Sequence, residues 1–154
     1  MLGNTIRLTT EPHGTFMEGI IDTASLPGTL MEIVPNSAFL NARPHYRPRS
    51  QVAGAAGQIW VLLDDPMQGF LPGTAYVIGT RGFLYSPPSG EEINVLVADG
   101  PGTNLPVTQG DLFAVLSNGK LYHVSVGGAT SIPFQSMETV AALTVDTLVW
   151  CIRL

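Results

Sequence analysis

The sequence predicts an all-β protein: a compact antiparallel β-barrel or β-sandwich with long loops. Three observations predict it. Helical apolar periodicity is almost absent, while short alternating or continuous apolar runs recur along the chain. The runs are separated by turn-forming residues, among 17 glycines and 12 prolines. With 45% of residues hydrophobic, those glycines and prolines punctuate a packed chain rather than a disordered one.

In chain order, the runs place strands at residues 5–11, 15–21, 29–34, 58–63, 74–78, 82–85, 93–98, 112–116, 121–126, 134–140 and 147–154. At 154 residues they fit a single domain, 1–154, able to bury a core of its own. Pro12, His13 and Gly14 divide the first two strands. Pro27-Gly28 has the composition of a type II turn, because glycine accepts the positive φ required at the third position. The third run stops at Pro35, which cannot donate to a ladder. Asn118-Gly119 is a two-residue hairpin signal, so the runs on either side of it are expected to pair antiparallel.

Two stretches do not fit the strand pattern. Residues 36–57, NSAFLNARPHYRPRSQVAGAAG, carry Arg43, Arg47 and Arg49 with no acidic residue, and Pro44 and Pro48 favour extended backbone. Such a length is expected to be a basic extended loop or arm, or to hold an irregular edge strand that the pattern does not resolve. Arginine and tyrosine are enriched at protein interfaces, so Arg43, Tyr46, Arg47 and Arg49 are candidate protein-binding residues. The second stretch, DDPMQGFLPG at 64–73, sets Met67 and Phe70 among prolines and glycines. These two are candidate apolar anchors, the alternative being a loop folded back on the core.

Enzymatic chemistry finds no foothold. Asp64-Asp65 and Glu91-Glu92 are adjacent pairs, which point apart on a strand and read as solvated turns. His13, His45 and His123 lack zinc-ligand spacing, and no serine elbow or phosphate-cradling glycine loop is present. No catalytic, metal or cofactor-binding residue is assigned, and no cofactor is expected. Cys151 is the sole cysteine, so an intrachain disulfide is impossible; a buried thiol is expected. The first ten residues have no apolar stretch of signal-peptide length, and no run reaches the length of a membrane span. A soluble chain made in a reducing compartment is therefore expected. Only 12% of residues are charged, with a net charge of −5, which suits extensive protein contact and disfavours nucleic acid.

Taken together, IRLTTEPHGTFMEG, PGTLMEI, VLLDDPMQG, TAYVIGTRGFLYSPPSGEEINVLVADG, GDLFAVLSNGKLYH and SMETVAALTVDTLVWCIRL resemble the tailed-bacteriophage capsid cement or decoration (head-stabilising) proteins. The resemblance runs through most of the chain and carries no residue-level assignment. It implies a compact β-barrel or β-sandwich, often jelly-roll-like, bound as a homodimer or homotrimer on the outer surface of the capsid and present in the host cytoplasm before assembly. The implied partner is the major capsid protein, and the implied role is to cement adjacent capsomers against internal pressure. The alternative is a glycan- or receptor-binding accessory protein of a phage head or tail, with Tyr46, Tyr76 and Tyr85 as surface aromatics.

Overall fold

A computed structural model describes residues 6, 13–34, 43–49, 58–98, 106–115, 118–123, 133–141, 143 and 145–154. Within them the chain is all-β. The strands are β1 (Thr15–Ile21), β2 (Leu30–Ile33), β3 (His45–Pro48), β4 (Trp60–Leu62), β5 (Arg81–Ser86), β6 (Glu92–Val97), β7 (Leu112–Val115), β8 (Leu121–His123), β9 (Phe134–Ser136) and β10 (Thr147–Arg153). They form two closed five-stranded barrels, β1-β3-β2-β4-β5 and β6-β8-β7-β9-β10, with β5 returning to β1 and β10 to β6.

An odd ring cannot alternate strand direction all the way round, so each barrel must contain a parallel pair. In the first it is β1–β3, with Ile20 opposite His45. In the second it is β6–β8, with Val97 opposite Leu121. Every other pair is antiparallel. The two rings are thus the same topology written twice, β1 to β5 matching β6 to β10 in neighbours and in direction. Even a lone bridge recurs: Ser25 to Tyr76 joins the β1–β2 and β4–β5 connections, and Val107 to Val140 joins the β6–β7 and β9–β10 connections.

The continuous apolar runs have a clear cause in this arrangement. Val61 of β4 packs into one core cluster, with Leu30 and Tyr85, against Ile93, Val95, Phe113, Leu121, Phe134, Val149 and Cys151 of the second half. Its neighbours Trp60 and Leu62 face the other way, into a cluster with Ile21, Met31, Tyr46, Tyr76 and Leu84. Strands β2, β4 and β5 therefore form a wall buried on both sides, and alternation disappears from their sequence.

Backbone bonds close the seam between the barrels. The 27–28 turn forms as expected, with Thr29 N donating to Leu26 O at 3.1 Å and Gly28 at φ 90°. Gly28 N then donates to Leu62 O (2.8 Å), and its own carbonyl accepts from Leu96 N (3.0 Å). β7 and β8 pair antiparallel as expected, with Asn118 and Gly119 at φ of 56° and 68°, but Val115 opposite Leu121 leaves five residues between those partners, so the connection is not a two-residue loop. Gly119 enters a three-membered cycle: Leu30 N to Gly119 O (2.7 Å), Gly119 N to Arg49 O (2.9 Å) and Arg49 N to Leu30 O (2.9 Å).

Two strand expectations change. The 36–57 stretch contains β3, which lies between β1 and β2 rather than at an edge. Residues 74–78 are not a strand: they join two turns, and only Tyr76 makes a bridge, to Ser25. The expected 5–11 strand lies outside the described residues except for Ile6, which is buried in the shared core and whose carbonyl accepts from Asn94 N at 2.7 Å.

Candidate protein-binding rim

The connection from β4 to β5 builds two tight turns. In the first, Asp65 and Phe70 exchange backbone bonds (Asp65 N to Phe70 O, 2.8 Å; Phe70 N to Asp65 O, 3.0 Å). The buried Asp65 carboxylate caps the intervening turn, accepting from Met67 N at 3.0 Å, Gln68 N at 3.3 Å and Gln68 Nε2 at 2.5 Å. Its position before Pro66 explains the turn, and the adjacent acidic residue is used elsewhere: Asp64 Oδ1 accepts from Ile6 N at 3.1 Å. Met67 sits at the tip, 95% exposed. Phe70 instead stacks on Tyr76 (ring centroids 4.1 Å apart) and packs against the first-barrel core. Tyr76 is fixed in turn, its hydroxyl donating to Leu63 O at 2.9 Å.

The second turn spans 77–80. Thr80 N donates to Val77 O (3.1 Å), while Ile21 N to Thr80 O (3.0 Å) and Gly79 N to Ile21 O (2.8 Å) fasten it to the end of β1. Val77 and Ile78 project from it, 62% and 63% exposed. The chain then enters β5 at Arg81.

On the outer face of the same barrel, charged side chains pair across strands. Glu18 of β1 receives both Arg43, just before β3, and Arg81 (Nε to Oε1, 3.2 Å). Arg47 of β3 meets Glu32 of β2 at 2.8 Å, and His45 meets Asp22 at 2.5 Å. In the second barrel His123 approaches Asp111 at 3.2 Å and Lys120 pairs with Asp146. The exposed arginine pairs contribute about 0–1 kcal/mol each, so they register strands more than they stabilise them.

The six residues singled out in the sequence thus separate. Arg43 and Arg47 are exposed and engaged with carboxylates; Arg49 is half-buried at the seam, with Nη1 3.5 Å from Gln58 O. Met67 is a free tip, whereas Phe70 supports the loop. Tyr46 lies inside the first barrel: strand alternation points it inward between His45 and Arg47, its ring is edge-on to Trp60 at 6.0 Å, and burial raises its pKa. Its hydroxyl has no hydrogen-bond partner among the described residues. Tyr76 and Tyr85 are buried as well, so none of the three tyrosines forms a surface platform. Sequence reasoning missed Glu18, Val77, Ile78 and Arg81. The Gly79-Thr80 pair ending the TAYVIGT run was the available signal for a turn there.

Among the described residues, no group of three or more His, Cys, Asp or Glu is placed to hold a metal ion. No helix among them is long and apolar enough to cross a membrane. No protein-family profile and no curated protein matches the chain. Among solved structures it is similar to the N base of the head fiber protein gp8.5 of bacteriophage phi29, with a TM-score of 0.56 and 8% sequence identity. The alignment covers 92% of this chain and 94% of that one, and at this identity the likeness is one of fold.

Proposed function

We propose that this chain is a structural protein of a phage head, bound outside the major capsid shell as a homodimer or homotrimer. The observation that carries the reading is the fold shared, over nearly the whole of both chains, with the base of a phage head fiber. Closed barrels suit such a role, because they leave no unpaired strand edge to recruit other chains.

The finer proposal is cementing. A protein that binds the assembled lattice and not its separated subunits stabilises the lattice by mass action. An oligomer that bridges neighbouring capsomers multiplies weak contacts through effective concentration. The glycan-binding alternative loses its platform with Tyr46, Tyr76 and Tyr85 inside the protein.

The test is to mix the purified protein with undecorated heads, count bound copies by electron microscopy, and measure the temperature at which heads release their genome. Saturable binding with a raised release temperature is expected. Absence of binding overturns the whole reading; binding with an unchanged release temperature overturns cementing alone.

A further inference from the structure

We propose that a second copy of this chain docks head to tail, its 109–112 turn entering the first barrel between Ile20 and Pro44 as the 27–30 turn enters the second. This deepens the reading above, on whose homo-oligomer it rests, and gives that oligomer an interface.

The two barrels match bond for bond. Thr29 N donates to Leu26 O (3.1 Å) and Asp111 N to Thr108 O (3.0 Å); Gly28 N donates to Leu62 O (2.8 Å) and Gly110 N to Ser136 O (2.9 Å). Leu62 N donates back to Thr29 O (3.0 Å) and Ser136 N to Asp111 O (2.8 Å). Gly28 and Gly110 share positive φ, 90° and 96°. Residues 27–30 and 109–112 are therefore one turn in two copies, and their surroundings differ. Pro27, Gly28, Thr29 and Leu30 are all buried, whereas Gln109, Gly110 and Leu112 are exposed and Asp111 is half-buried.

The buried copy shows what the exposed one is shaped to enter. The 27–30 turn lies in an open seam of the second barrel, Gly28 O accepting from Leu96 N of β6 (3.0 Å) and Leu30 N donating to Gly119 O ahead of β8 (2.7 Å). The matching seam of the first barrel, between β1 and β3, is shut by the bond from Ile20 N to Pro44 O (3.0 Å). The next bond is common to both seams: Asp22 N to Tyr46 O (2.8 Å) and Ala98 N to Leu121 O (2.9 Å). Opening the first seam in the manner of the second thus breaks the Ile20–Pro44 bond, and an incoming turn replaces both its ends, Gly110 O meeting Ile20 N and Leu112 N meeting Pro44 O. Gly110 O must also release Gln135 Nε2 (3.0 Å), a side chain standing where the other turn has a strand amide.

Apolar surface drives the exchange. In the second barrel Ile93, opposite Cys151, and Val115, opposite Leu121, pack in the shared core with Leu30. Their counterparts by register are Met17, opposite Leu84, and Ile33, opposite Tyr46, and these are 36% and 48% exposed. Leu112, the counterpart of Leu30, is 37% exposed. Each chain therefore carries an uncovered turn at one end and an uncovered receiving mouth at the other. A contact between two unlike surfaces closes into a ring or runs on as a filament, and does not make a two-fold pair. Of the oligomers proposed above, that selects the homotrimer.

The test uses the full chain. Analytical ultracentrifugation should show the mass rising with concentration to that of a trimer, and Leu112→Arg should weaken association at least roughly tenfold, the loss expected of a hot-spot residue. Gln135→Ala, which vacates Gly110 O, should strengthen it. A short thiol crosslinker should join Leu112→Cys to Ile33→Cys when the two variants are mixed and leave each variant alone unjoined, Cys151 being buried. A chain that is monomeric at every concentration, a two-fold dimer, Leu112→Cys crosslinked to itself, or association indifferent to Leu112→Arg overturns the proposal. Undecorated heads separate it from the capsid reading. A chain that joins head to tail but ignores heads keeps this interface and removes the capsid reading; one that binds heads as a monomer does the reverse. Leu112 and Ile33 are exposed, and an unchanged unfolding midpoint serves as the folding control.

Discussion

The Tyr85 hydroxyl donates to Glu91 Oε2 across 2.5 Å and accepts the amide of Gly14 at 2.9 Å, so one buried phenol joins the entry to β1 with the link between the barrels. Glu91 is buried, and its Oε1 has no hydrogen-bond partner among the described residues. Tyr85→Phe would leave the carboxyl without this donor and is expected to cost about 2–3 kcal/mol. Adding Glu91→Leu should recover part of the loss, since removing both polar partners costs less than stranding one. Urea unfolding measures both; a single-variant change within experimental error would refute the account.

Gly119 and Gly69 both hold positive φ, 68° and 81°, in different surroundings. A Cβ on Gly119 would lie 2.2 Å from Leu30 O and 2.6 Å from Thr29 Cγ2, whereas one on Gly69 would meet nothing within 4 Å. Gly69→Ala should therefore cost only the backbone term, about 1–2 kcal/mol. Gly119→Ala should cost distinctly more, because the cycle with Leu30 and Arg49 must open. Equal shifts in thermal midpoint would contradict this.

Stability should decline in alkali. Burial pushes the Cys151 thiol above its ordinary 9.0, with Glu138 adding to the shift. Burial likewise raises Tyr46 and Tyr76 above 10.0, with Asp65 and Asp64 adding at Tyr76. These groups stay neutral in the folded chain at pH values where the unfolded chain ionises them, so their contribution is intact below pH 9 and is lost progressively above it. Urea midpoints that hold steady or rise from pH 9 to 11 would refute the assignment. Cys151 should also resist thiol reagents until the protein unfolds, which labelling followed by mass spectrometry can time.

Asp65→Ala should release the turn that holds Met67 outward. Losing the backbone bonds to the carboxylate is expected to cost about 1–2 kcal/mol, with faster hydrogen exchange at the Met67 and Gln68 amides. Unchanged exchange at those two amides would show that the cap does not hold the turn.

What could be read from the sequence was local. Thr15–Ile21 appears as a strand with the expected bounds, and the chain turns at Gly28 and at Asn118-Gly119, residue types that accept the positive φ found there. What could not be read was non-local. β3 hides between Pro44 and Pro48, its inward residue reduced to Tyr46 among charged neighbours, and it gains its place from β1 and β2. The 74–78 run alternates convincingly, yet Tyr76 is its sole inward anchor. The rim escaped notice for the same reason: Arg43, Arg81 and Glu18 are distant in sequence and meet only when the first barrel closes.

The wall of β2, β4 and β5 makes each half incomplete. Residues 1–89 alone would leave Leu30, Val61 and Tyr85 facing water, and 90–154 alone would uncover the residues that pack against them. The repeated topology is therefore an internal dimer whose halves need covalent continuity only at the exposed link near Ser89 and Gly90. Produced as separate polypeptides, the halves should each lack cooperative unfolding and regain it on mixing, which calorimetry would register. The protein would then serve as a split reporter, its two pieces recognising each other through a core rather than a surface.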